Sequence, residues 1–114
     1  MIKLVDVFPA LANQLAQSLR AEGLDSLAEQ VNAAVVQRVT FDESVNAGYI
    51  HVVPARALNV VEANIIGVRH GRAIDVETEY GAVIDIDNFE RLSGIEILAP
   101  GVLAAELKRR ARKE

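Results

Sequence analysis

Four carboxylates sit at alternate positions in two neighbouring segments, Asp75 and Glu77 in DVET and Asp85 and Asp87 in IDID. Every second side chain of an extended strand points to the same face, so two strands here would gather all four. Carboxylate oxygens suit a hard cation such as Ca²⁺ or Mg²⁺, and a close pair of them can divide acid and base roles. The spacing matches no calcium-binding loop. The ordinary alternative is a solvated sheet face, or one that docks a basic partner. These four are therefore the only metal candidates, and no catalytic or cofactor-binding residue is assigned.

The two histidines offer less. His51 shares a strand face with Tyr49 and Val53 and has the chemistry of a base, but no nucleophile accompanies it in sequence. His70, in VRHGR, reads as a turn residue on a basic surface. Glycine-rich phosphate loops and zinc-protease or serine-hydrolase signatures do not occur. The chain contains no cysteine, which excludes disulfides, thiolate chemistry and Cys-ligated metals. A cytoplasmic setting is expected.

Charge is unevenly placed. Residues 106–114 hold five basic and two acidic side chains, which leaves an acidic body in a chain of net charge −4. Lys108, Arg109, Arg110, Arg112 and Lys113 could contact nucleic acid or an acidic partner. They also suit the C-terminus of a helix, whose dipole favours cations. The opening MIKLVDVFPALANQ is broken by Lys3, Asp6, Asn13 and Gln14 and does not read as a signal peptide. No apolar run is long enough for a membrane span.

The elements that must position these groups follow from periodicity. Phe8, Leu11, Leu15 and Leu19 make one helical stripe over 7–22, with Asp6 as cap and Gly23 as stop. A second helix is expected over 26–35, with a Ser26/Glu29 capping box. The pair should form an antiparallel hairpin whose Leu and Val stripe is covered by a sheet or by a second subunit. Residues 37–42 and 48–53 are rich in β-branched and aromatic side chains and read as a strand hairpin. In residues 54–71, Leu58, Val61 and Ile65 could form a helical stripe, but the Val and Ile content favours a loop, then a strand over 65–68, with His70-Gly71 near a turn. A helix is expected from about 102 to 113.

The segment from Ala73 to Leu98 reads as three antiparallel strands. A three-residue loop, Glu79-Tyr80-Gly81, places Val76 opposite Ile84 and Ile74 opposite Ile86, with Gly81 in the left-handed position that this loop class requires. That register sets Asp75 opposite Asp85, an unfavourable pairing that Arg91 or another arginine must offset. A second loop, Asn88-Phe89-Glu90, sets Ile86 opposite Leu92 and Asp87 opposite Arg91. Beyond it, a bulge at Gly94 returns Ile95 and Ile97 to the core side.

FDESVNAGYIHVV (41–53) and VIDIDNFERLSGIEIL (83–98) resemble the opening and closing motifs of a small bacterial domain, the domain-of-unknown-function family 2283. Gly94-Ile95-Glu96-Ile97-Leu98, preceded by Arg91, is the most specific part. Asn46, Gly48 and Glu90 depart from the family's Asp, Leu and Gly. The resemblance implies a small β-rich fold, no transferable catalytic residues, and a weak association with partners of toxin-like proteins.

The expectation is a single α+β domain: a helical hairpin over 1–35, an antiparallel β-meander of about five strands over 36–98, and a helix over 101–113. The leading functional reading is a non-enzymatic protein-interaction module, as a homodimer or an antitoxin-like partner. The alternatives are a small metal-binding or hydrolytic enzyme using the acidic face, and nucleic-acid binding through the tail.

Overall fold

The residue before a proline is disfavoured in the helical conformation, and this divides the first helix. The computed structural model describes residues 2–112. It places a single helical turn, α1 (Leu4–Val7), ahead of α2 (Pro9–Ala21). Phe8 breaks the two apart at φ −128° and ψ 64°. Asp6 thus lies inside α1 and does not cap the long helix. The expected stop holds: Gly23 has φ 77°, its N–H donates to Arg20 O, and Leu24 N–H donates to Leu19 O. This paired closure is a Schellman motif. The second long helix, α3 (Asp25–Ala33), begins without a side-chain cap, so the Ser26/Glu29 box is not made.

Six strands follow or flank these helices: β1 (Ile2–Lys3), β2 (Val35–Asp42), β3 (Ala47–Val53), β4 (His70–Val76), β5 (Ala82–Asp87) and β6 (Leu92–Ile97). All pair antiparallel in the order β1-β2-β3-β6-β5-β4. The class is α+β, with one strand more than expected, because the first residues pair with Val35 and Val36. The chain is not a simple meander either. After β3 it crosses to the far edge, and β6 returns beside β3.

One sheet face carries the core. Ile50, Val52, Val76, Ile84, Ile86, Ile95 and Ile97 are buried as the alternation requires, with Ile74 half-buried. The stripe of α2 and α3, through Leu11, Leu15, Leu19, Leu27 and Val31, joins the same cluster. The helical hairpin is therefore covered by this chain's own sheet, and a second subunit is not needed for it. A short 3₁₀ turn (Gly101–Leu103) leads into α4 (Ala104–Ala111). Leu107 of α4 lies fully buried against Gly48, where an added Cβ would come within 2.9 Å of its Cδ1. That contact gives the reason for glycine at this position.

Two registers deserve comparison with expectation. The β5–β6 hairpin pairs Ile86 with Leu92, and Asp87 N–H donates to Arg91 O. Glu90 occupies the left-handed position at φ 59°. Ser93 is the extra residue of a bulge, beside Gly94 opposite Asp85, and Ile95 and Ile97 return to the core. The β4–β5 register, however, is displaced by two residues. Ile74 faces Ile84, Val76 faces Ala82, and Asp75 faces Val83. The expected Asp75–Asp85 opposition does not occur; Asp85 faces Ala73. The loop is longer because its residues have tertiary partners. Tyr80 is buried, Gln14 Oε1 accepts from Glu79 N–H, and Glu77 O accepts from the Ser18 hydroxyl.

Candidate functional site

The sheet face opposite the helices carries the polar side chains of β2, β3, β5 and β6. Tyr49 and His51 lie there on alternate positions of β3, with ring centroids 4.5 Å apart. The Tyr49 hydroxyl donates to Asp85 Oδ2 at 2.5 Å. To reach β5 from β3, the ring crosses β6 over Gly94, where an added Cβ would lie 2.0 Å from the hydroxyl oxygen. Glycine is the one residue that admits this crossing. Burial, the Asp85 hydrogen bond, and the charges of Asp85 and Glu96 push the Tyr49 phenol far above its usual range. It is a fixed donor, unsuited to act as a base or nucleophile near neutral pH.

His51 Nε2 lies 3.1 Å from an Arg38 guanidinium nitrogen. Arginine can only donate, so in this pairing Nε2 is the acceptor. The imidazole thus lies between an arginine and a tyrosine ring tilted 56° to it. His70 is not in a turn; it begins β4, exposed.

The four carboxylates singled out from the sequence part company. Asp75 and Glu77 are exposed on β4 and just beyond it, and Asp85 is half-buried under the Tyr49 hydroxyl. Asp87 is buried and makes an internal ion pair. Its Oδ1 accepts from the Phe89 and Arg91 amides at 2.9 and 3.0 Å, and its Oδ2 accepts from Arg91 Nε at 2.8 Å. Arg91 in turn donates to Arg56 O at 2.8 Å. Arg91 therefore neutralises Asp87 and fixes its loop, rather than offsetting a carboxylate pair on the open face. Among the described residues, no group of three or more His, Asp or Glu side chains is placed to hold a metal ion.

The tail cations are similarly engaged. Arg109 and Arg110 pair with Glu106 at 2.6 and 3.0 Å. Lys108 and Arg112 reach Glu43 at 3.8 and 3.9 Å, and Lys108 also sits 5.4 Å above the Phe41 ring. Burial opposes ionisation of Glu106, but its hydrogen bonds from Arg110 and Arg109 outweigh this and lower its pKa. Lys113 lies outside the described residues. No helix among the described residues is long and apolar enough to cross a membrane.

Sequence reasoning missed the surface that stands out most. Residues 65–68 are not a strand. Val60, Val61, Ile65, Ile66 and Val68 are 49–76% exposed on a segment built around one wide helical turn, Glu62–Ile66, closed by Gly67 N–H donating to Glu62 O. Its backbone is locked. Asn59 and Glu62 cap each other's amides at 2.9 and 3.1 Å, a reciprocal box. Arg56 grips both Glu62 oxygens. Asn88 accepts from Arg69 N–H and donates to Gly67 O, tying the segment's far end to the β5–β6 loop. The Arg56 hydrogen bond, followed by the Asn59 amide, holds the Glu62 carboxyl below its usual range. The signal was present as a run of Val and Ile that fits neither a strand alternation nor one buried helical stripe.

With this geometry in view, comparisons with family models, curated proteins and solved structures returned no match.

Proposed function

We propose that this chain is a non-enzymatic protein-interaction module that grips a protein partner through the aliphatic segment 60–68. The observation that carries this reading is the combination of five exposed Val and Ile side chains with a backbone locked by its own capping box, ion pair and anchor to Asn88. Exposed contiguous apolar surface favours a protein neighbour. Pre-ordering the backbone lowers the entropy lost when that neighbour binds. A toxin-neutralising role, suggested by the resemblance to family 2283, is a narrower form of the same reading.

The competing readings have less support. The register separates the acidic side chains that a cation or acid–base pair would need close together. The described tail cations, Lys108, Arg109, Arg110 and Arg112, already have acidic partners. The test is capture from cells that natively make this chain, using the unmodified protein and the Val61→Asp/Ile65→Asp variant as baits, with masses measured for the purified complexes. A stoichiometric partner, or a second copy, held by the first bait and lost by the second is expected. Retention unchanged by the variant would refute the assignment of this surface.

A further inference from the structure

The other edge of interest is β4. Among the described residues it ends the sheet and pairs only with β5. Backbone direction alternates along an antiparallel ladder. Asp87 turns its N–H towards β6, so Ile86, Ile84 and Ala82 turn theirs towards β4, where they face Arg72, Ile74 and Val76. Ala73, Asp75 and Glu77 therefore present their amides and carbonyls to the free side. The Ser18 hydroxyl on Glu77 O, reaching in from α2, agrees with this direction. Ala73 and Asp75 are left with an open hydrogen-bonding edge, and such an edge is a template for another strand.

A cleft of about 180 Å³ borders this edge, between β4 and the last turn of α2. Leu19, Leu24, Ile74 and Val76 line it, and Glu22, Asp75 and Glu77 stand at its rim. A second cleft of about 190 Å³ continues past the α2–α3 turn to Arg72 and Glu90. Arg72 is already paired with Glu90 at 2.8 Å. None of the three rim carboxylates has an ion-pair partner among the described residues.

We propose that the free edge of β4 takes up an extended peptide segment of a protein partner, with an aliphatic side chain over the Ile74 cleft and Lys or Arg beside it. An added strand sends alternate side chains to the two sheet faces. One set meets Ile74, Leu24 and Glu22; the alternate set, on the other face, meets Asp75 and Glu77. Backbone pairing supplies affinity at Ala73 and Asp75, and the unpaired carboxylates select a basic sequence over an acidic one. This inference rests on the interaction-module reading but uses a surface separate from segment 60–68.

The experiment titrates the isotope-labelled full chain with two synthetic seven-residue peptides, one alternating Leu with Lys and one alternating Leu with Glu, followed by amide shifts and hydrogen exchange. The Lys peptide should shift and protect amides between Arg72 and Glu77 and bind at least about tenfold more tightly than the Glu peptide, with affinity falling as salt rises. Asp75→Lys/Glu77→Lys, which alters exposed side chains only, should reverse that preference. Ala73→Pro removes a free-edge donor and should abolish binding of both. Equal binding of the two peptides, shifts that map away from β4, or a doubled mass without peptide (a second copy on this edge) would overturn the proposal. The Val61→Asp/Ile65→Asp variant should bind the Lys peptide unchanged. Loss of partner capture with peptide binding intact refers to segment 60–68 alone, and the reverse refers to β4 alone.

Discussion

Adding one methyl group at Gly94 should be among the costliest small substitutions in this chain, and the reason lies in another strand. The new Cβ would lie 2.0, 2.4 and 2.6 Å from Oη, Cζ and Cε1 of Tyr49. Ordinary contact begins near 3.4 Å, so the ring must move by more than an ångström, which breaks its 2.5 Å hydrogen bond to Asp85. A hydrogen bond to a charged acceptor contributes about 1.5–3 kcal/mol; Asp85 is half-exposed and regains water, which favours the lower figure. Overpacking adds about 1–3 kcal/mol. Gly94→Ala should therefore cost about 3–4 kcal/mol in urea unfolding, with little change in the slope of the transition. In a Tyr49→Ala background the obstruction is gone, and the same substitution should be neutral or slightly stabilising, because Ala in a strand avoids the entropy cost of Gly. The coupling energy should be about 3 kcal/mol. If Gly94→Ala costs the same in both backgrounds within about 0.5 kcal/mol, the crossing of Tyr49 over β6 is wrong.

Other predictions follow from individual groups. Asp87→Asn leaves Arg91 buried without its counter-charge and should cost about 3–5 kcal/mol; a loss under about 1 kcal/mol would mean the pair is solvated. Glu90→Gly relieves a left-handed residue at φ 59° and loses only an exposed ion pair to Arg72. It should stabilise the fold by about 0.5–1 kcal/mol, seen as a melting temperature a few degrees higher, and a lower one would contradict the loop geometry. Both tyrosine phenols have pKa values raised in the fold, Tyr49 chiefly by burial and the Asp85 hydrogen bond, Tyr80 by its Glu79 hydrogen bond and burial. A raised native pKa means that the stabilisation is complete below the unfolded value of 10.0 and is lost as pH rises through the native one. Phenolate absorbance at about pH 11 should thus be smaller in native than in unfolded protein, with Tyr49 the ring that stays un-ionised. Equal absorbance in the two states would refute the burial of Tyr80 and the Tyr49–Asp85 hydrogen bond.

Local chemistry was legible where a single hairpin decides the outcome. The pairing of Ile86 with Leu92 around the Asn88-Phe89-Glu90 loop and the bulge beside Gly94 follow from alternation and turn geometry, and both are present; Gly81 is left-handed as expected, although in a longer loop than the one that suggested it. The β4–β5 register was not legible. A shift of two residues keeps every apolar side chain on its face, so Ile74 opposite Ile84 satisfies the pattern as well as Ile74 opposite Ile86. What decides between them is non-local: Tyr80 turning into the core, and Gln14 and Ser18 of α2 meeting the loop backbone. The same limit hid the Tyr49–Asp85 bridge, since it requires β6 between β3 and β5. It also hid the exposure of the Val and Ile residues in 60–68, whose content suggested a strand. Their exposure is set by the Asn59–Glu62 box and the Asn88 anchor.

If segment 60–68 is a partner-binding surface, hydrogen exchange on the chain captured from its native cells reads it most directly. In the native complex, amides from Asn59 to Arg69 should exchange several-fold more slowly than in the chain purified alone, and the Val61→Asp/Ile65→Asp variant should return with no partner. A complex in which those amides exchange at the free rate would contradict the account.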